Sequence, residues 1–199
     1  MYNYLDVVYG KKPFTDYPAQ LCKYLFDRYG MKVRDTLLDV GAGRGEFTDG
    51  FNKVGLNTVG IEKSDPYIGD SQFNIVFSKS VIEHVEKQDI FVQKIYRVLK
   101  PGGRVIMMTP DWHSQMFLFY NDPTHVRPYT VKGIEDLLSM GGFKEVKAEL
   151  FYQLPILWKY PWLKVVSKTL QLLGPPKKIH KNKFYRWSRE LMILASGIK

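Results

Sequence analysis

The stretch that decides the fold is Leu37-Leu38-Asp39-Val40-Gly41-Ala42-Gly43-Arg44-Gly45-Glu46-Phe47. A short apolar run carrying an acid gives way to glycine at every second position, and then to residues that open a helix. Strand, loop and helix in that order deliver the loop to the carboxyl end of a sheet, where ligands bind in open α/β folds. Glycines take positive φ without strain and let backbone come close to a ligand. The helix that follows points its first N–H groups at whatever lies above the loop. A nucleotide-like cofactor is the expected occupant.

Spacing separates the candidate cofactors. The dinucleotide fingerprint G-x-G-x-x-G, counted from Gly41, needs glycine where this chain has Glu46. The pattern here is D-x-G-x-G-x-G, running from Asp39 through Gly41, Gly43 and Gly45. It resembles the first motif of class I S-adenosylmethionine-dependent methyltransferases. The resemblance implies that the loop wraps the methionine end of that cofactor and that Asp39 helps orient its amino group. It also implies that Glu62, ending the second strand, accepts from the ribose hydroxyls. The passage Phe73-Asn74-Ile75-Val76-Phe77-Ser78-Lys79-Ser80-Val81-Ile82-Glu83-His84-Val85, followed by Leu99-Lys100-Pro101-Gly102-Gly103, looks like the family's fourth strand, its helix and the turn into the fifth strand. Ser78, closing that strand, joins the expected cofactor set. Together these motifs span roughly residues 36–110. Asp122–Thr130 (Asp-Pro-Thr-His-Val-Arg-Pro-Tyr-Thr) and Phe151–Pro155 (Phe-Tyr-Gln-Leu-Pro) are similar, more narrowly, to small methyltransferases associated with surface-polysaccharide biosynthesis.

The chain departs from the family in one respect. Phe73 follows Glu62 by only 11 positions, where a helix, a strand and a loop are usual. A βαβ crossover takes at least about 10–12 residues for its connection alone. The expected fold is therefore a doubly wound α/β sheet, mostly parallel with an antiparallel last strand, and with its third strand missing or vestigial. In family numbering the expected strand order is 2-1-4-5-7-6. Asp70 resembles the acid that meets the adenine amino group after the third strand. With that strand gone, adenine contact and a plain turn are both open for it, and the adenine pocket is more exposed.

Local signals support this alternation of strands and helices. Asp16 and Gly30 bracket a helical period over residues 17–29, and residues 36–40 and 57–62 read as strands. Phe91, Ile95, Val98 and Leu99 mark a helix stopped by Pro101-Gly102-Gly103, and Arg104–Thr109 reads as a strand. Thr130 is placed to cap a helix that runs to Gly141-Gly142. Phe143–Phe151 and Glu190–Ala195 complete the sheet.

At 199 residues, with 45% hydrophobic and 25% charged content, the chain suits one soluble domain covering residues 1–199. Cys22 is the sole cysteine, so no internal disulfide forms. The first residues lack signal-peptide regions, and no apolar run approaches the roughly 18–20 residues of a membrane span, so a cytoplasmic location is expected. Charge is unevenly placed. Residues 152–189, an insertion between the last two strands, hold nine Lys or Arg and no Asp or Glu; the other 161 residues net to zero. From Trp162 to Leu173, Trp162, Val165, Val166, Leu170, Leu172 and Leu173 share one helical face, with Lys164, Ser167, Lys168 and Gln171 opposite. Such a helix suits an anionic membrane surface on its inner face, or a lid or dimer contact packed on protein. No recognised RNA-binding motif accompanies the lysines, so nucleic acid is not the expected partner.

Methyl transfer from a sulfonium is an in-line displacement, and a base matters where the acceptor must lose a proton. His125, in the loop after the fifth strand, is the leading candidate base, with Asp122 placed to hold its other ring nitrogen. His84 is the alternative base or ligand. Glu83-His84 matches the end of an E-x-x-E-H metal pattern seen in some relatives, but Ser80 stands at its first position, so no metal is expected. Asp111, Trp112 and His113 are further candidates for the pocket wall. The expected acceptor is a small molecule or a saccharide oxygen, including lipid-linked glycans; RNA methylation and a fold that has lost catalysis are the rivals.

Overall fold

The computed structural model describes residue 10 and residues 13–62 and 68–199. In chain order these form α1 (Tyr17–Tyr29), β1 (Thr36–Val40), α2 (Glu46–Lys53), β2 (Asn57–Ile61), β3 (Phe73–Lys79), α3 (Gln88–Val98), β4 (Leu99–Pro110), the one-turn α4 (Trp112–Gln115), α5 (Val131–Met140) and β5 (Lys144–Phe151). The short α6 (Pro155–Lys159), α7 (Lys164–Gln171) and α8 (Lys183–Arg189) follow, and β6 (Met192–Ile198) ends the chain. Three-residue 3₁₀ turns lie at Ile82–His84, Phe119–Asn121 and Pro161–Leu163.

The six strands form one sheet in the order β2-β1-β3-β4-β6-β5. Neighbours are parallel from β2 through β4, and β6 runs antiparallel to both β4 and β5. This is the expected order with position 3 left out: among the described residues β2 pairs only with β1. Part of the link that replaces the third strand, residues 63–67, lies outside the described residues.

Strand side chains alternate between the two faces of the sheet. Leu38, Val76, Val105 and Met107 face α3 and α5, where Val92, Ile95, Ile134 and Leu138 are buried. Leu37, Ile75, Phe77, Ile106 and Met108 face Leu21, Cys22 and Leu25 of α1 and Phe51 of α2. Phe77 is fully buried, its ring 5.1 Å from that of Phe51. Truncating such a residue costs about 3–5 kcal/mol. A third cluster, Tyr152, Leu154, Leu157 and Leu191 with Leu163, Phe184 and Trp187, ties the β5–β6 connection to the sheet.

Helix ends follow the expected chemistry with one exception. Thr130 Oγ1 accepts the Gly133 N–H at 3.1 Å, and Gly30 closes α1 in the left-handed region at φ 58°. Asp16 occupies the cap position of α1 but uses its backbone carbonyl, to the Gln20 N–H. Strand boundaries move: β2 ends at Ile61, β4 runs from Leu99, ahead of Pro101-Gly102-Gly103, to Pro110, β5 starts at Lys144, and β6 runs from Met192 to Ile198. Glu190 is instead buried against Arg186, whose Nε donates to it at 2.7 Å.

Candidate active site

The glycine loop sits at the carboxyl end of β1. Gly41, Gly43 and Gly45 all have positive φ, at 76°, 58° and 77°. The Gly41 and Ala42 N–H groups donate to the Ile61 carbonyl at 2.8 and 3.2 Å, which ties the loop to the end of β2. A Cβ on Gly41 would lie 2.4 Å from Val81 Cγ2, in the turn that follows β3. The loop thus bridges the ends of β2 and β3 with no room for a side chain between them. Gly60 on β2 has the same role below it: a Cβ there would meet Thr48 Oγ1 at 2.6 Å and Ala42 Cβ at 2.8 Å.

Asp39 lies beneath this loop, buried, with Oδ2 accepting from Thr48 Oγ1 at 2.7 Å. Burial pushes its pKa up to about 6; the Thr48 hydrogen bond pulls down and the Glu62 charge pushes up. Glu62 Oε1 accepts the Gly43 N–H, so the carboxylate closes over the loop. Thr48 and Gly60 belong to the same assembly, although the glycine spacing alone did not point to them. Ser78, at the end of β3, is buried with its hydroxyl unsatisfied.

Asp70 is a correction. It lies at the amino end of β3, where its carboxylate pairs with Arg97 at the end of α3 and the Ser71 N–H donates to the Arg97 carbonyl. Arg97 Nη2 also donates to the Ile68 carbonyl at 2.9 Å. The glycine loop is at the opposite end of the parallel strands, so Asp70 anchors the link and does not reach an adenine pocket there.

Across the rim, the turn Ile82–His84 and the loop from Asp122 to Tyr129 are joined through backbone: the Val126 and Arg127 N–H groups both donate to the Glu83 carbonyl, at 2.9 and 3.2 Å. This clamp brings the His84 and His125 rings together, with centroids 4.6 Å apart. His125 Nδ1 donates to the Phe119 carbonyl at 2.6 Å. His84 Nδ1 lies 3.2 Å from the Thr124 carbonyl and 2.9 Å from Thr124 Oγ1, which itself donates to Asp122 Oδ1 at 2.6 Å. Both rings therefore carry their proton on Nδ1 and present Nε2 as the acceptor nitrogen. The expectation that Asp122 holds the His125 ring is corrected: the Phe119 carbonyl takes that proton, and Asp122 acts through Thr124 on His84.

Glu83 is fully buried between these elements. Its Oε2 accepts from Thr109 Oγ1 at 3.0 Å, and its Oε1 has no hydrogen-bond partner among the described residues. Burial pushes its pKa up to about 7, against the hydrogen bonds and the Lys79 charge that pull it down. Lys79 is shifted downward by burial, with Glu83 opposing. Desolvation, and then the neighbouring His125, lower the His84 pKa. Buried Tyr129 likewise has an unsatisfied hydroxyl. Orphaned buried polar atoms are rare in folded proteins, and Ser78, Glu83 and Tyr129 gather theirs at the carboxyl ends of β3 and β4, where a ligand would satisfy them.

The remaining expected wall residues divide. Asp111 is a structural cap, accepting the Ser114 N–H at 2.8 Å, and His113 is mostly exposed beside it. Trp112 instead stands edge-on to Phe119 and Tyr120, at 5.9 and 6.3 Å, and Phe119 packs against His125 at 4.4 Å. An aromatic wall thus runs up to the histidine pair.

Glu83, His84 and His125 each bring one ligand-capable atom within 4.8 Å of the others, a grouping that could take a metal. Against a dication stands the half-buried Lys79 side chain, whose charge acts on Glu83. Ser80, in the place of a further carboxylate, turns the backbone at φ 57°.

With this geometry in place, the comparisons with known proteins are specific. The methyltransferase domain model matches residues 14–148. The chain belongs to the methyltransferase domain family. A methyltransferase from Archaeoglobus fulgidus, described as S-adenosylmethionine-dependent, superposes with a TM-score of 0.66 at 20% identity, covering 99% of this chain and 100% of that one. Phosphoethanolamine N-methyltransferase 2 of Haemonchus contortus, solved with S-adenosylmethionine, gives a TM-score of 0.63 at 16% identity, over 100% of this chain and 60% of its own. The fold is the Rossmann-like class I methyltransferase fold. In sequence, the mitochondrial ubiquinone biosynthesis O-methyltransferase of Rattus norvegicus is 30% identical across 40% of this chain and 31% of that protein. Phosphoethanolamine N-methyltransferase 1 of Zea mays is 24% identical across 66% of this chain and 32% of its own length. The chain thus spans about a third of the length of these curated relatives.

Proposed function

We propose that this protein transfers a methyl group from S-adenosylmethionine to an oxygen of a small acceptor held against the His84–His125 pair. The observation that carries the reading is the pairing of two half-sites on one rim. On one side is a cradle of left-handed glycines over buried Asp39, and on the other a base pair of histidines with fixed tautomers. The cradle fits the cofactor: Gly41, Gly43 and Gly45 leave backbone exposed to it, and Asp39 and Glu62 supply carboxylates for its amino and hydroxyl groups. When bound, the cofactor supplies an electrophilic methyl group on a sulfonium.

The protein's own residues then align the acceptor and take its proton. Alignment supplies much of the rate in a displacement of this kind. His125 Nε2 is the proposed proton acceptor, because the Phe119 carbonyl fixes its tautomer and the aromatic wall packs directly on its ring. His84, held by Thr124 and Asp122, stays neutral beside it and keeps the pair from carrying two charges. The relatives named above include both O- and N-methyltransferases. The choice of oxygen follows from a site equipped to remove a proton, and the narrower choice of a saccharide hydroxyl rests on the resemblance of Asp122–Thr130 and Phe151–Pro155.

The test is calorimetry with S-adenosylmethionine, followed by transfer of labelled methyl to a panel of sugars, phenols and amines. Binding to the wild type, loss of binding in Gly43→Val with unchanged far-UV dichroism, and label on a hydroxyl are expected. Label on amines alone would overturn the acceptor reading. Cofactor binding without transfer to any class would favour a binding protein.

A further inference from the structure

We infer that the β5–β6 connection docks on the surface of an anionic lipid bilayer through the outward side of α7. The observation is the direction in which this amphipathic helix packs. An ordinary surface helix buries its apolar face and shows its polar face to water. α7 does the reverse. Its buried residue is Ser167, whose Oγ lies 2.8 Å from Ser188 Oγ. Beside it, Gln171 Nε2 donates to Tyr152 Oη and to the Ser188 carbonyl, both at 2.9 Å. The polar seam faces the protein. Trp162, Val165, Leu172 and Leu173 point away from it, 69%, 67%, 86% and 62% exposed, with Val166 beside them. The lid reading, in which that face packs on the chain's own core, is not what the structure has.

Charge identifies the occupant. Of the nine basic residues in 152–189, Arg186 is paired with Glu190, and Arg189 is buried with its guanidinium donating to the Leu173 and Gly174 carbonyls behind α7. The other seven, Lys159, Lys164, Lys168, Lys177, Lys178, Lys181 and Lys183, are exposed, and none forms an ion pair with a carboxylate among the described residues. Large aliphatic side chains and a tryptophan, bordered by lysines and free of any acid, match the boundary between anionic headgroups and acyl chains. Nucleic acid would leave Leu172 and Leu173 in water. No helix among the described residues is long and apolar enough to cross a membrane, so the association is with the surface.

Docking here has a geometric consequence. β5 ends and β6 begins at the carboxyl rim of the sheet, so the connection stands on the same rim as the glycine loop and the histidine pair. The Asp111 N–H donates to the Leu191 carbonyl at 3.1 Å, and Lys177 Nζ lies 5.8 Å from the Phe117 ring centre, joining the connection to the loop after β4. An acceptor embedded in the lipid would reach the site at short range.

The experiment is co-sedimentation of the full chain with vesicles of phosphatidylcholine, alone or mixed with phosphatidylglycerol, at low and high salt. Its readout is independent of methyl transfer. Pelleting only with anionic vesicles, weakened by salt, is expected. Lys164→Glu/Lys168→Glu and Leu172→Ser/Leu173→Ser should each lower the bound fraction by roughly tenfold or more. Both pairs are exposed, so unchanged thermal melting is expected and guards against misfolding. Wild-type pelleting by both double variants, equal pelleting with neutral vesicles, or none with anionic vesicles at low salt would overturn the proposal. So would a dimer in sedimentation velocity that Leu172→Ser/Leu173→Ser dissolves, or RNA binding that Lys164→Glu/Lys168→Glu abolishes without any vesicle binding.

Discussion

The rings of His84 and His125 stand 4.6 Å apart, each with Nδ1 turned toward a backbone carbonyl. Burial, and then a second imidazole so close by, lower the His84 pKa, because a positive charge on one ring opposes a positive charge on the other. His125→Ala is expected to lower turnover by roughly 10²–10⁴-fold with cofactor affinity nearly unchanged. His84→Ala, acting through its neighbour, should cost less and move the acidic limb of the pH–rate profile. A loss below about tenfold for His125→Ala would make that residue a structural turn.

The glycine loop gives a graded test. A methyl at Gly41 meets Val81 Cγ2 at 2.4 Å, whereas one at Gly45 meets nothing within 4 Å. Gly45→Ala should therefore leave the protein's own packing undisturbed apart from the cost of left-handed backbone, about 1–2 kcal/mol, and lose affinity for S-adenosylmethionine only through the methyl it adds beside the cofactor. Gly41→Ala should weaken binding further and be partly rescued by Val81→Ala. Equal affinities for the two single variants, measured by calorimetry, would show that the contact of the glycine loop with the turn after β3 does not shape the site.

Both the glycine loop and the strand order were legible in the sequence because their signals are local: spacing, apolar runs and Gly-Pro punctuation. For Asp70, residue type left adenine contact and a turn both open, and strand direction decides between them. β2 ends at the carboxyl rim and β3 must start at the opposite edge, so a residue three positions ahead of β3 has already crossed the sheet. The Asp122–Thr124–His84 relay joins residues 40 positions apart, and no periodicity announces it. For α7 the wheel gave the two faces, but only packing against Ser188 decides which one is buried.

Asp70→Asn should leave cofactor affinity within about twofold and change stability by no more than about 1 kcal/mol, as for other partly exposed ion pairs. A large loss of cofactor affinity on calorimetry would return the residue to the adenine pocket.

Chelation tests the metal alternative. With Lys79 coupled to Glu83 and Ser80 at the remaining position, turnover should survive dialysis against EDTA and should not rise on adding magnesium, manganese or zinc. A chelator-dependent loss reversed by one of these ions would reassign Glu83, His84 and His125 as ligands.

Glu83 should also set how stability depends on pH. Burial raises its pKa from the ordinary 4.5 to about 7, so the folded state holds this proton more tightly than the unfolded chain does. Its stabilising contribution is fully present below about pH 4.5 and is lost as pH rises through about 7. The shift corresponds to about 3 kcal/mol for a group this deeply buried. Asp39, raised to about 6, acts in the same direction with a smaller shift. Chemical denaturation at pH 5 and pH 8 should therefore show the wild type losing stability as pH rises. In Glu83→Gln the neutral amide keeps the shape and the acceptor toward Thr109 but has no proton to lose, so the fall should shrink to the share left by Asp39. Parallel pH dependences in the two proteins would mean that Glu83 is ionised throughout and balanced by Lys79. The carboxylate would then serve as counter-ion to that lysine, not as a reserve of protons beside the histidines.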